Sequence, residues 1–164
     1  MEAGWPERDF VQLTEDHIGS LLEIERSSFA NPWSAVDFHC VVRDRSALCT
    51  GLLIQGELCG YAIGYVDGVE FHLANFAIAS PCRRRGWASI LLQHIIGRIR
   101  RMGCRKCTLE VRLSNRPAVE FYRRHDFQQI GVRSHYYENP SENALIMQLR
   151  LEKVSACTSQ KSGE

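Results

Sequence analysis

Apolar residues along the chain recur at two spacings, and each change of spacing marks an element boundary. Thr14 precedes Glu15 and Asp16, then Ile18, Leu21, Leu22 and Phe29 at helical intervals. That reads as an N-cap, an acidic first turn and the apolar face of a first helix. Asn31-Pro32-Trp33-Ser34 breaks it, and Ser34 can cap a short second helix bearing Val36, Phe38, Val41 and Val42. Leu48 to Ile54 and Leu58 to Val66 flank Gln55-Gly56-Glu57 as a predicted antiparallel hairpin. A strand follows over Glu70 to Ile78, whose alternation places Glu70, His72 and Ala74 on one face and Asn75 and Ala77 on the other. A helical pattern runs through Ile90, Leu91, Ile95, Ile96 and Ile99 to a stop at Met102-Gly103. Lys106 to Leu113 is a strand with Thr108, Glu110 and Arg112 on one face, and a parallel-sheet strand with a polar face argues for an opening beside it. Ser114 and Asn115 begin a further helix with Pro117 in its first turn, followed by Ala118, Phe121 and Tyr122. Phe127 to Leu151 holds two more strand-like runs about the polar turn Glu138-Asn139-Pro140-Ser141. The sequence of strand, helices, hairpin, strand, helix, strand, helix and two strands predicts an α/β layered fold on a mixed sheet.

The stretch Phe76 to Leu92 concentrates the chemistry. An apolar strand stops at Ser80-Pro81, passes Arg83, Arg84, Arg85 and Gly86, and resumes as a helix. The first N–H groups of such a helix lack partners within it, and the helix dipole draws an anion to them. Gly86 and Ala88 let backbone approach phosphate oxygens while the arginines add charge. The bland alternative is a solvated arginine turn.

With 164 residues, one domain is expected, burying about two-thirds of the unfolded chain's surface. A net charge of +1 exerts no global pull on nucleic acid. Met1 to Phe10 carries acids and no apolar core segment, and no run approaches the ~18 apolar residues of a membrane span. Seven scattered cysteines fit reduced thiols in a cytoplasmic protein. Cys104 and Cys107 form a CxxC, but a zinc site needs about two more ligands, so no metal is expected. From Glu152 onward apolar periodicity ends, so residues 1–151 are expected to form the domain and 152–164 a disordered tail.

Arg83, Gly86 and Ala88 fill the motif positions of the coenzyme loop in the GNAT superfamily of acyl-CoA-dependent N-acetyltransferases. The order Asn31-Pro32-Trp33-Ser34, Leu109-Glu110-Val111-Arg112, Ser114-Asn115, Phe121-Tyr122, Tyr136-Tyr137 and Glu142-Asn143-Ala144 resembles the RimI-like ribosomal-protein-alanine N-acetyltransferases, over roughly residues 10 to 150. The resemblance implies a single-domain GNAT fold: a mixed, mostly antiparallel sheet of about seven strands, strands four and five splayed, flanked by about four helices. The acyl-pantetheine arm would lie in the splay. Acetyl-CoA is the implied co-substrate, met by Phe76, Ala77 and Ile78 on the strand, Arg83 to Ser89 at the turn (including Arg84, Arg85, Gly86, Trp87 and Ala88), and Asn115. Glu110 and Tyr122 stand at the family's base and acid positions, and Pro32, Trp33, Tyr136 and Tyr137 at its acceptor groove.

The expected activity is acetyl transfer to the N-terminal amine of a protein, with ribosomal protein S18 and its N-terminal alanine as the specific substrate. The enzyme is expected to work as a monomer, with no nucleic-acid or membrane partner. A GNAT enzyme acting on lysine or a small amine, and a non-catalytic CoA- or RNA-binding module, are the alternatives. Each site residue also has a plainer reading: Trp33 as a packing wedge, Glu110 as a carboxylate paired with Arg112, Tyr122 as a packing residue. His72 is a candidate base or simply a hydrogen-bonded sheet histidine. Two positions depart from the family pattern. Asp126 must make a left-handed helix end usually made by glycine, and Trp87 is bulky at the rim of the turn.

Overall fold

The computed structural model describes residues 5–152. Seven strands form one sheet in the order β1-β2-β3-β4-β5-β7-β6, with β1 Arg8–Gln12, β2 Ala47–Ile54, β3 Glu57–Asp67, β4 Glu70–Ile78, β5 Lys106–Arg112, β6 Gln128–Tyr137 and β7 Glu142–Arg150. Every neighbouring pair is antiparallel except β4 and β5. The helices are α1 Ile18–Ser28, α2 Ala35–Arg43, α3 Trp87–Arg101 and α4 Arg116–Arg124. The α/β mixed sheet and four helices are those expected.

The helices close two apolar layers, one on each face of the sheet. Leu21, Ile24, Phe38 and Val41 from α1 and α2 bury against Tyr61, Ile63 and Ala77. Leu91, Leu92, Ile95 and Ile99 of α3 and Val119 of α4 bury against Phe71, Leu73, Leu109 and Met147. Leu21, Phe38, Val41, Leu91, Ile95 and Ile99 lie at the helical spacings read from the sequence, Ile24, Leu92 and Val119 join them, and burial of such a stripe is what holds each helix.

Several local expectations are corrected. Thr14 caps a short 3-10 turn, Glu15–His17, ahead of α1, and its N–H donates to His17 Nδ1 at 3.0 Å. Phe29 leaves the helix in extended conformation, Val36 points to solvent, and Leu113 lies past the end of β5, exposed. The first strand lies at Arg8–Gln12, partly within the stretch read as lacking a core segment; as an edge strand it half-buries only Phe10 and Val11. Apart from Glu152, the expected tail lies outside the described residues.

Two irregularities in β4 shape the middle of the molecule. Asn75 is opposite Ile63 and Leu73 opposite Gly64, so Ala74 is an extra, unpaired residue, a β-bulge. Unbroken alternation would keep Asn75 and Ala77 on the face of Phe71 and Leu73. Instead Phe71 and Leu73 enter the α3 layer, while Ala77 enters the α1–α2 layer and Asn75 reaches Glu25 of α1. The second irregularity is that β4 pairs with β5 only at Glu70–Lys106, Phe71–Cys107 and His72–Thr108. Past His72 the strands part, as the resemblance implied.

Candidate active site

The parting opens a cleft of about 490 Å³. Its walls come from the loop after α1 (Phe29, Asn31, Trp33), the far half of β4, β5 at Glu110 and Arg112, α4 at Tyr122, and Tyr137 at the end of β6. Five chain segments distant in sequence therefore meet at one hollow.

Glu110 sits on β5 opposite in direction to the buried Leu109 and Val111, and its side chain is 8% exposed. It does not pair with Arg112. Its Oε2 lies 2.5 Å from His72 Nε2, and its Oε1 lies 3.5 Å from an Arg133 guanidinium nitrogen. The hydrogen bond with His72 is the main cause holding the Glu110 carboxyl below its ordinary range, against burial, with the charges of His72 and Arg133 adding to it. The same bond lifts His72 above its ordinary value, against burial and Arg133. Arg112 is engaged elsewhere: it bonds Glu142 at 3.4 Å, and its guanidinium lies 4.2 Å from the Tyr137 ring centre.

Tyr122 is buried among Phe76, Phe121 and Phe127, all in edge-type contact with its ring. Burial is the chief cause raising its hydroxyl above the usual phenol range, so it stays protonated near neutral pH.

At the α3 end, Gly86 adopts φ 83°, and its carbonyl accepts from Ile90 at 3.2 Å. The N–H groups of Trp87, Ala88 and Ser89 thus precede the first intrahelical bond. Among the described residues no side chain caps this end, whereas Ser34 caps α2 and Asn115 caps α4. Arg84, at φ 59°, and Arg85 are exposed. Arg83 instead folds back to donate to Ile78 O and Ser28 Oγ, both at 2.9 Å, tying the turn to the end of β4 and to α1. Trp87 is 4% exposed and meets Trp5 edge-on at 5.5 Å, so its side chain belongs to the core and only its backbone N–H faces the turn. Ser89 Oγ is 2.9 Å from His125 Nε2. Ala77 and Ile78 have buried side chains and offer backbone alone, while Phe76 and Asn115 line the cleft. Asp126 does adopt the left-handed conformation, at φ 65°.

In the groove, Trp33 is both wedge and wall: it leans on Phe38 at 5.5 Å and lines the cleft. Pro32 and Tyr136 are exposed and stand outside the lining. Asn31 Nδ2 donates to Glu138 O, joining the α1–α2 loop to the β6–β7 turn. Burial pushes the Tyr137 hydroxyl up to about 12.

Sequence reasoning passed over Glu25. Its carboxyl, 1% exposed, accepts from Trp33 N–H at 2.8 Å, from Asn75 Nδ2 at 3.1 Å and from the Tyr61 hydroxyl. The signal was present in one form: a glutamate inside the stripe Ile18, Leu21, Ile24 must find donors when buried. Among the described residues no group of three or more His, Cys, Asp and Glu side chains is placed to hold a metal ion.

A model of the acetyltransferase (GNAT) family matches residues 18–127. The chain belongs to this family. This GNAT acetyltransferase is 33% identical over 139 residues to the ribosomal protein bS18-alanine N-acetyltransferase of Salmonella typhimurium, covering 84% of this chain and 93% of that protein. The crystal structure of the ribosomal-protein-S18-alanine N-acetyltransferase from Escherichia coli superposes with a TM-score of 0.82 at 27% identity, over 92% of this chain and 99% of that one. NAA60 of Arabidopsis thaliana, crystallised with a bisubstrate analogue, shares the fold with a TM-score of 0.79 at 16% identity, over 89% of this chain and 100% of that one. Membership makes the protein an acyltransferase whose chemistry is acetyl transfer.

Proposed function

We propose that the protein transfers the acetyl group of acetyl-CoA to the N-terminal α-amine of a protein, and that its substrate is the N-terminal alanine of ribosomal protein S18. One observation carries the reading: a carboxylate and a protonated phenol, Glu110 and Tyr122, line a single cleft with Trp33 and Tyr137 where β4 and β5 part. The named relatives in Salmonella and Escherichia support the choice of substrate.

The donor half of the site fits acetyl-CoA. The uncapped N-terminus of α3 and the exposed Arg84 and Arg85 suit a diphosphate, and the half of β4 left unpaired by β5 offers peptide groups to an amide-bearing arm. On the acceptor side, Trp33 and Tyr137 face an incoming chain end.

Chemically, the amine must be neutral to attack. An α-amine has a pKa near 7.7–8.0 against about 10.4 for lysine, so it needs only modest help. Glu110 takes the proton, directly or through one water, and Tyr122 gives one to the departing thiolate, whose thiol resembles one of pKa ~8.5. Direct attack needs no enzyme nucleophile.

The test is a CoA-release assay on peptides varied at their first two residues, with an N-blocked peptide bearing a free lysine. Free N-termini beginning with alanine should be turned over best. Equal rates on the blocked lysine peptide would replace this reading with lysine acetylation.

A further inference from the structure

Acetylation of an ammonium end leaves one proton over: R–NH3⁺ and an acyl thioester give the amide, the thiol and H⁺. Two protons leave nitrogen as the N–C bond forms and the C–S bond breaks. One ends on sulfur. The other, held by Glu110 in the proposed reaction on which this inference rests, has to reach solvent from a side chain that is 8% exposed and walled by the cleft that both substrates fill.

Among the described residues, two side chains touch the Glu110 carboxylate. Arg133 is 56% exposed, but a guanidinium offers hydrogen-bond donors and no acceptor, so it has nowhere to take up a proton. His72 is 42% exposed, presents Nε2 at 2.5 Å, and is not part of the cleft wall. We propose that His72 is the proton exit: the proton Glu110 takes from the amine crosses to His72 Nε2, and the imidazolium gives one up to water. His72 acts through Glu110 and is a positioning and relay residue.

The surroundings agree. On its own strand Glu70 is drawn off by Lys106 at 3.0 Å; β5 presents Glu110 and Thr108, β6 presents Arg133, and β3 places Tyr65 opposite. Glu110 outweighs Arg133 and lifts His72 above its ordinary value. Protonated His72 cannot accept, so the acidic limb of kcat should follow its titration.

His72→Gln keeps a side chain able to donate a hydrogen bond but removes the titrating ring. Expected is a fall in kcat of roughly 10²-fold, the low end for a positioned proton-transfer group, with peptide KM and acetyl-CoA affinity within twofold of the parent. Added imidazole should restore kcat in proportion to its concentration, and leave the parent unchanged. A kcat within twofold of the parent, or a fall that imidazole does not restore, overturns the relay. Glu110→Gln is assayed alongside. If it is crippled while His72→Gln is not, only the relay fails; if neither loses activity, the assignment of Glu110 as base fails too. Should His72→Gln not fold, His72→Asn is read the same way.

Discussion

Replacing Glu25 tests whether a residue that touches neither proposed reacting group shapes the proposed acceptor groove. Glu25→Ala strips the acceptor from three donors: Trp33 N–H, Asn75 Nδ2 and the Tyr61 hydroxyl. The first two border the cleft, where water can take over, so their net loss is small. Tyr61 is fully buried and would keep only its long 3.4 Å bond to Asn75 Oδ1, so the loss there is part of the desolvation penalty, about 1 kcal/mol. Adding about 0.5 kcal/mol for each of the others gives about 2 kcal/mol, or a fall in Tm of roughly 4–8 °C for a chain of this length. Glu25→Gln keeps one acceptor oxygen and should lose about half as much. Because the Trp33 bond pins the groove wall, peptide KM should rise at least tenfold, about 1.4 kcal/mol, while acetyl-CoA binding by calorimetry is unchanged. A Glu25→Ala protein melting within 2 °C of the parent, with an unaltered peptide KM, would refute the argument.

At Gly86, φ of 83° is strained for any side chain, although an added Cβ would meet nothing within 4 Å. Gly86→Val should therefore weaken acetyl-CoA binding about tenfold through the distorted turn, checked by calorimetry on protein with a parental circular dichroism spectrum. Tyr122→Phe should lower kcat by about 10² to 10⁴ and spare acetyl-CoA affinity; a loss confined to KM would count against it as the acid. The His72–Glu110 pair should stabilise the fold in a defined pH window. Glu110, lowered from 4.5, contributes above that value and loses its contribution as pH falls through its folded pKa; His72, raised from 6.5, contributes fully below 6.5 and loses its share as pH rises through its folded pKa. A double-mutant cycle over pH should find coupling greatest between 4.5 and 6.5, and coupling that is flat with pH would contradict the ion pair.

What the sequence disclosed was whatever depends on spacing along one element. The strand–turn–helix junction at Arg83 to Ala88, the cap at Ser34, the helix start at Ser114-Asn115, and the left-handed Asp126 are local matters, and local residue chemistry decides them. Partners across the sheet were less accessible. Glu110 was weighed against Arg112, two residues away, but a strand separates such neighbours along its axis. A parallel partner strand instead brings His72 within 2.5 Å. Arg83 looked like a free charge because nothing in its own segment shows that Ile78 O and Ser28 Oγ await it. Val36 fell on the right helical spacing and still faces water, since α2 is short and buries only Phe38 and Val41 fully.

The unpaired Ala74 works as a phase shifter. One strand feeds the α3 layer with Phe71 and Leu73 and the opposite layer with Ala77, so both halves of the core are timed from a single inserted residue. Drawing Ala74 into regular pairing, with no residue removed, would impose strict alternation and rotate everything after it by half a period. Asn75 would then turn its amide toward the apolar α3 layer, and Glu25 and Tyr61 would lose the partner that completes their network. The register of this one residue is therefore felt on both faces of the sheet at once.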